Sequence, residues 1–282
     1  MNDELIAMLK QNQFQFIGEQ NPYVKQVKNL VSNSKPNPEK LFIAEGLWAF
    51  KKLVEFGVEI RSLVVCPEHI HTTDATSTLQ ALFSKTEFKF AVSAKTYEKL
   101  TERDKPDGLL AVAVLPKHHI EQFMPKHNSV ILVLDGIEIP GNIGTMVRMC
   151  DGAGVDAVFI CNRKARLTHP KLIKGSMGAV LSVPIFEFDD IETCHNWLTK
   201  HNFTIYLADT RATHHYYDEP FGKNTAIVMG SERYGISRQW YSYPVVMISI
   251  PMFGSVDSLN VGVAATVLAY EASIKNKLNA RK

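Results

Sequence analysis

Three loops in the second half of the sequence carry polar side chains directly after apolar segments. They lie in "LDGIEIPGNIGTMVR" (134–148), "IVMGSERYGIS" (227–237) and "ISIPMFGSVDSLNV" (248–261). Each apolar segment has the length and residue types of a buried strand, so each loop marks the carboxyl end of a strand. Because ligands of open α/β sheets bind at the carboxyl ends of the strands, the three loops together predict one ligand site.

The first two loops contain four residues with both a structural and a chemical interpretation. Asn142 is placed to cap the helix that follows it, and Arg148 interrupts the apolar pattern of that helix, which also fits a partly buried ion pair. Glu232 can accept from a cation such as Arg148, or it is simply solvated. Gly230 would let the backbone approach a ligand closely, although a surface turn explains it equally well.

The third loop precedes a helix of small and apolar residues. Asp257 or Ser258 is placed to cap this helix, which we expect to begin near Leu259. The segment "LNVGVAATVLAY" (259–270) has small residues at helical spacing, so it can pack closely against another backbone. Such packing occurs within a domain and also in a subunit interface.

A basic segment, "CNRKARLTHPKLIKG" (161–175), follows another apolar strand. It contains five cationic residues and no acidic one: Arg163, Lys164, Arg166, Lys171 and Lys174. Such a cluster is typical of contacts to RNA phosphates that weaken with salt, and a solvated loop is the alternative. The formal net charge of +2 does not decide between them, because binding depends on a local patch.

The elements around these loops predict an α/β protein of two domains. Strand-like and helix-like segments alternate from Leu41 to about residue 115, and again from Ser129 onward. Between them, "PKHHIEQFMPKHNS" (116–129) has the composition of a linker. We place the boundary near residue 125, giving domains 1–125 and 126–282. The unalternating apolar strands of the second domain favour a parallel sheet that is covered on both faces.

Composition and spacing exclude several other classes. The four cysteines lie far apart, without the spacing of a metal site, and indicate buried thiols in a reducing compartment. The pair His214 and His215 also lacks suitably spaced partners, so no metal is expected, although stacking of this segment on RNA stays open.

No apolar run reaches the length of a membrane span, and the first residues do not resemble a signal peptide, so a cytoplasmic protein is expected. No G-x-G-x-x-G follows a strand, which excludes dinucleotide binding.

The segments "GNIGTMVR", "VMGSERYG" and "IPMFGSVDSLNV", in this order, resemble the three signature motifs of the SpoU/TrmH branch of the SPOUT methyltransferases. The first motif is most similar to the thiostrepton-resistance type, which acts on 23S ribosomal RNA. "NPYVKQVKNL" and "FIAEG" resemble the L30e-like substrate-binding domain that is often fused to it. The resemblance implies S-adenosylmethionine-dependent methylation of a ribose 2′-hydroxyl, a deep trefoil knot in the second domain and a homodimer.

The resemblance also implies roles for ten residues. Those at the positions of the family's polar catalytic groups are Asn142, Arg148, Glu232, Ser258 and Asn260. Those at or beside its cofactor contacts are Val228, Gly230, Ile250, Met252 and Leu259. Arg148 falls at the position of the family's general base, but arginine is effectively always protonated. We therefore expect it to stabilise the developing alkoxide or to hold a phosphate.

Two further functions remain compatible with the sequence. One is the same chemistry on transfer RNA, and the other is RNA binding without catalysis. The L30e-like domain disfavours the first. The second is disfavoured because a module without catalysis has no need of all four polar residues Asn142, Arg148, Glu232 and Asn260.

Overall fold

The computed structural model describes residues 2–279, which form two compact units. One unit contains the chain up to Pro116 together with Thr168–Ile173. The other contains Lys117–Leu167 and the chain from Lys174 onward. All four cysteines are buried free thiols, as expected. No helix between residues 2 and 279 is long and apolar enough to cross a membrane.

The first unit is built on a mixed sheet of five strands. Its elements are α1 (Asn2–Gln11), β1 (Gln15–Phe16), α2 (Pro22–Val31), β2 (Leu41–Glu45), α3 (Leu47–Phe56), β3 (Ile60–Val65), α4 (Thr73–Gln80), β4 (Thr86–Ala91), α5 (Ala94–Tyr97) and β5 (Leu109–Val114). The strand order is β1-β4-β3-β5-β2, and β5 runs antiparallel to both of its neighbours. Gly57 ends α3 in the left-handed conformation, which glycine adopts without steric cost.

The second unit is built on a parallel sheet of six strands. From residue 117 onward the chain forms β6 (Val130–Asp135), α6 (Pro140–Ala153), β7 (Ala157–Cys161), α7 (Pro170–Ser176), β8 (Ile185–Glu187), α8 (Ile191–Lys200), β9 (Thr204–Ala208), β10 (Thr225–Gly230), β11 (Val246–Ile248) and α9 (Val261–Asn279). The order is β11-β9-β10-β6-β7-β8, with every pair parallel. The apolar strands therefore form the predicted parallel sheet.

The central strands of this sheet are buried because their side chains on both faces are apolar. All six residues of β6 and all five of β7 are buried. From β6 the chain builds the sheet in one direction through β7 and β8, then crosses to β9 and returns so that β10 lies beside β6. Ligands of α/β sheets bind at such a reversal. The register pairs Gly230 with Asp135, so the loops that follow these two residues begin side by side.

Some element boundaries depend on local contacts. Helix α4 begins at Thr73 because Thr72 caps it by accepting from the backbone N–H of Ala75. The apolar segment 180–188 yields only the short strand β8. The basic segment is not a loop throughout, since Lys171 and Lys174 lie on α7. Where a helix begins or ends can depend on a single hydrogen bond, such as that from Ala75 to Thr72, and the pattern of apolar residues does not encode it.

Candidate active site

A cavity of about 420 Å³ lies in the second unit. It is enclosed by the loops after β9, β10 and β11 and by the first turns of α9, and its volume lies in the range of small-molecule sites. Its apolar walls are formed by Met229, Ile236, Ile248, Ile250, Met252, Leu259, Val261 and Leu268. Its polar groups include Asp209, Arg211, Ser231, Glu232 and Ser258. Apolar walls with a few polar groups suit a ligand that has an aromatic ring and charged substituents.

Glu232 connects the three loops that the sequence singles out. One carboxylate oxygen accepts from the side-chain amide of Asn142 at 3.1 Å. The other accepts from the side-chain amide of Asn260 at 2.8 Å and from the backbone N–H of Val261 at 3.4 Å. A single carboxylate after β10 therefore holds the beginnings of α6 and α9 together.

The structure corrects two of the local interpretations. Asn142 does not cap α6, because the helix already begins at Pro140 and Asn142 lies within its first turn. Neither Asp257 nor Ser258 caps α9. The side-chain oxygen of Asn260 does so, by accepting from the N–H of Gly262 at 3.0 Å.

Arg148 lies on the exposed side of α6 and does not pair with Glu232. The carboxylate of Glu232 instead bonds to two side-chain amides. Within residues 2–279, Arg148 forms no ion pair or side-chain hydrogen bond, so the alternative of a partly buried ion pair is wrong. Its guanidinium is available to an external anion.

Position 230 has room only for glycine, because the loop that follows folds back against it. A Cβ atom at this position would lie 2.3 Å from the carbonyl carbon of Gly235 and 2.3 Å from the nitrogen of Ile236. The loop folds back because Ser231 and Gly235 exchange two backbone hydrogen bonds, of 3.1 and 2.8 Å. The close approach at Gly230 is therefore to protein backbone, although the residue also lines the cavity.

The predicted cofactor residues fall into two groups. Gly230, Ile250, Met252 and Leu259 all line the cavity. Val228 does not: it is fully buried in the core of the sheet, because side chains alternate along β10 and its own side chain packs into that core. Ser258 lines the cavity and its hydroxyl donates to the Asp257 carboxylate at 3.4 Å.

Sequence reasoning missed a polar cluster at the end of β9. The carboxylate of Asp209 is buried and accepts from the Arg211 side chain at 3.0 and 2.8 Å and from the Tyr241 hydroxyl at 2.5 Å. The hydrogen bonds from Arg211 hold the pKa of Asp209 well below its usual range. Asp209 therefore fixes Arg211, whose side chain is 79% exposed, at the cavity wall. The available signal was an acidic residue directly after a fourth apolar strand.

A second missed residue, Asp135, ties the loops that follow β6, β7 and β10. It is 1% exposed and accepts from the side-chain amide of Asn162 and from the backbone N–H of Ser237, both at 2.7 Å. Asn162 adopts a left-handed conformation at φ 52°, which asparagine tolerates better than most residues. This buried carboxylate therefore joins three loops at the carboxyl ends of adjacent strands.

The cationic residues of the basic segment differ in whether they already have a partner within the protein. Arg163 forms an ion pair with Glu187 of β8 at 3.0 Å, and Arg166 is half-buried and has a partner. Lys164, Lys171 and Lys174 are exposed, and none of them forms an ion pair with another described residue. The three lysines are the cations that can meet an external phosphate.

The histidine pair is engaged in protein contacts. The Nε2 atom of His214 lies 2.5 Å from a carboxylate oxygen of Glu219, and His215 lies 3.2 Å from the hydroxyl of Ser249. Among residues 2–279, no group of three or more His, Cys, Asp or Glu side chains is placed to hold a metal ion.

Comparison with known proteins decides the family. A model described as the SpoU rRNA Methylase family matches residues 129–270, and one described as the MRM3-like substrate binding domain matches residues 21–111. The chain belongs to the SpoU rRNA methylase family. It is therefore an RNA methyltransferase that transfers a methyl group from S-adenosylmethionine to a ribose 2′-hydroxyl.

Individual relatives of this SpoU methyltransferase agree with that assignment. A Staphylococcus epidermidis protein of the TrmH tRNA/rRNA methyltransferase family is 32% identical over 65% of this chain and 79% of the relative. The Bacillus subtilis 23S rRNA (guanosine(2553)-2′-O)-methyltransferase RlmP is 23% identical over 89% of this chain and 95% of its own. The AviRb methyltransferase of Streptomyces viridochromogenes, solved with AdoMet, shares the fold with a TM-score of 0.81 at 23% identity, over 92% of this chain and 99% of AviRb.

Proposed function

We propose that this SpoU methyltransferase modifies 23S ribosomal RNA and that the 2′-hydroxyl is held where Glu232 joins Asn142 and Asn260. The observation that carries the proposal is this junction, because it places polar groups from three separate loops at one side of a small-molecule cavity. The resemblance to the thiostrepton-resistance type and the similarity to a 23S rRNA methyltransferase over most of both chains support the choice of RNA.

The cavity fits S-adenosylmethionine by its chemistry. Ile250, Met252 and Leu259 supply apolar surface for a purine, while the carboxylate of Glu232 supplies negative charge for a sulfonium or ammonium group. When bound, the cofactor supplies an electrophilic methyl group. The protein must then align the ribose oxygen behind that methyl group and stabilise the charge that develops on it, and alignment alone lowers a barrier by several kcal/mol.

The two asparagines serve to align the ribose hydroxyl, and Arg148 serves to stabilise charge. Each asparagine donates its amide N–H to Glu232, which fixes both side chains. The carbonyl oxygen of Asn142 is then left to accept from the ribose hydroxyl, whose proton would pass to solvent water as the oxygen is methylated. The exposed guanidinium of Arg148 stabilises the developing alkoxide or holds the adjacent phosphate. Ser258 contributes a further hydroxyl at the cavity wall.

RNA binding is assigned to the basic segment and to the first unit. Exposed Lys164, Lys171 and Lys174 meet phosphates, whereas Arg163 contributes less because Glu187 partly neutralises it. The match of residues 21–111 to a substrate-binding family supports an RNA-binding role for an L30e-like first domain.

A homodimer and a trefoil knot complete the proposal. Val263, Tyr270 and Ile274 expose 51%, 41% and 51% of their surface at helical spacing along α9, which supports an interface between copies. Light scattering at assay concentrations tests the dimer, and a monomeric mass would contradict it. The knot follows from the resemblance alone.

The proposed function is tested by transfer of radiolabelled methyl from S-adenosylmethionine to unmethylated ribosomal and transfer RNA in parallel. Label in 23S rRNA that survives alkali as a dinucleotide is expected, since 2′-O-methylation blocks cleavage there. Arg148→Ala is expected to abolish transfer, and Arg148→Lys to reduce it strongly, because lysine lacks the planar fork of donors. Label only in transfer RNA would overturn the proposed target, and cofactor binding without any transfer would favour a non-catalytic protein.

A further inference from the structure

Tyr234 is a large aromatic side chain that lines the cavity yet remains 70% exposed. It therefore lies where the cavity opens to solvent. We propose that Tyr234 is a stacking platform for an unpaired base of the substrate RNA, next to the ribose that is methylated. The inference rests on the proposed RNA substrate and adds a specific recognition residue to it.

The backbone around Tyr234 is held in one conformation. The hydroxyl of Ser231 accepts from the backbone N–H groups of Arg233 at 3.2 Å and Tyr234 at 3.3 Å. The paired backbone bonds between Ser231 and Gly235 close the loop, and Gly230 is packed against its far side. Because the backbone that carries the ring is already ordered, stacking of a base costs only the side-chain torsions of Tyr234, which favours binding.

The charge beside the ring suits a nucleic acid. The guanidinium of Arg233 lies 5.2 Å from the centroid of the Tyr234 ring. Arg233 is exposed and forms no ion pair within residues 2–279, so it can meet the phosphate of a base stacked on Tyr234. Aromatic rings and arginine planes are the surfaces on which proteins stack unpaired RNA bases.

The position of the ring distinguishes an RNA base from the purine of the cofactor. Met229, Ile236 and Leu268 also line the cavity and are all buried, so they offer the enclosed apolar surface that a bound purine needs. Tyr234 faces solvent and lies two residues after Glu232, which holds Asn142 and Asn260. A base on this ring therefore brings its own ribose towards the polar junction.

The test uses the full chain, S-adenosylmethionine and an unmethylated 23S rRNA transcript. Tyr234→Ala and Tyr234→Leu are expected to raise the KM and the Kd for the transcript about tenfold, within the range of a lost stacking contact. Tyr234→Phe keeps the ring and should stay within about twofold of the wild type. The cofactor Kd, measured by calorimetry, should change little in all three. Met247→Ala, which removes exposed apolar surface outside the cavity, is the control.

Three results would overturn the inference. Tyr234→Ala could leave RNA binding unchanged, it could weaken cofactor and RNA binding equally, or Tyr234→Phe could lose as much as Tyr234→Ala. If the wild-type protein transfers no methyl to any RNA, the proposed function fails separately. RNA binding on filters then still decides the role of Tyr234, because weaker binding by Tyr234→Ala supports it and equal binding refutes it.

Discussion

Replacing Gly230 by alanine should disable the site through a steric clash with backbone. The added Cβ would meet the carbonyl carbon of Gly235 and the nitrogen of Ile236 at 2.3 Å, whereas ordinary contacts begin at 3.4 Å. The loop must therefore move by roughly 1 Å, because neither neighbour is a flexible side chain. The φ angle of Gly230 is not positive, so the clash alone accounts for the effect.

The expected magnitude follows from what the loop carries. Overpacking against a well-packed structure costs about 1–3 kcal/mol, which should lower the free energy of unfolding measured with urea. A displacement of roughly 1 Å carries Glu232 away from Asn142 and Asn260, and misplacement of that size reduces turnover by about 100-fold. Methyl transfer to RNA under saturating conditions measures this loss.

Gly254→Ala is the matched control for this substitution. Gly254 lies in another loop beside the cavity, has no atom within 4 Å of an added Cβ, and does not adopt a positive φ. It should retain both stability and turnover. If Gly230→Ala were as active as Gly254→Ala, the loop would not be held as rigidly as these contacts require, and the account of the junction would be wrong.

Three further substitutions test other parts of the site. Glu232→Gln replaces one carboxylate oxygen, an acceptor, by an N–H₂ group that faces donors, so turnover should fall about tenfold or more. Because Glu232 is exposed, the loss in free energy of unfolding should stay at about 1 kcal/mol. Unchanged turnover would exclude the junction from catalysis. Asp209→Asn should destabilise the protein by about 1–3 kcal/mol at pH 7. Because the folded-state pKa of Asp209 is lowered, its contribution is present at neutral pH and lost in acid, so urea denaturation should show the gap to the wild type narrowing below about pH 4. Lys164→Ala combined with Lys174→Ala should weaken RNA binding and reduce its salt dependence without changing cofactor affinity, and the exposed Lys200→Ala should do neither.

The sheet of the second unit could be predicted from the sequence because its signal is local. The runs of β6 and β7 are apolar without alternation, which indicates a strand buried on both faces wherever it occurs. The mixed sheet of the first unit could not be predicted in the same way. Strand direction depends on which strands pair across long separations, as when β5 pairs antiparallel with β2, and alternation of elements does not encode that choice.

In the site, as in the sheets, features set by neighbouring residues could be predicted from the sequence, whereas contacts between distant residues could not. Polar residues after apolar strands could be located, but their partners could not. A pair between Glu232 and Arg148 was plausible because their charges are opposite. The fold instead places the side-chain amides of Asn142 and Asn260 against the carboxylate, and the Arg148 guanidinium lies on the exposed side of α6. Asp209 was overlooked because no glycine lies close to it: the glycine of its loop, Gly222, comes near the other end, just before β10.

The wall of the cavity proposed to hold the cofactor is formed by residues between Ala208 and Leu268, within the second unit. In the proposed division of roles, changes on the surface of the first unit alter which RNA is recognised without disturbing the residues that line this cavity. For that part of RNA recognition, selection for a new target and selection for the reaction act on separate stretches of the chain. A chain organised in this way can acquire a new substrate while its chemistry is inherited unchanged.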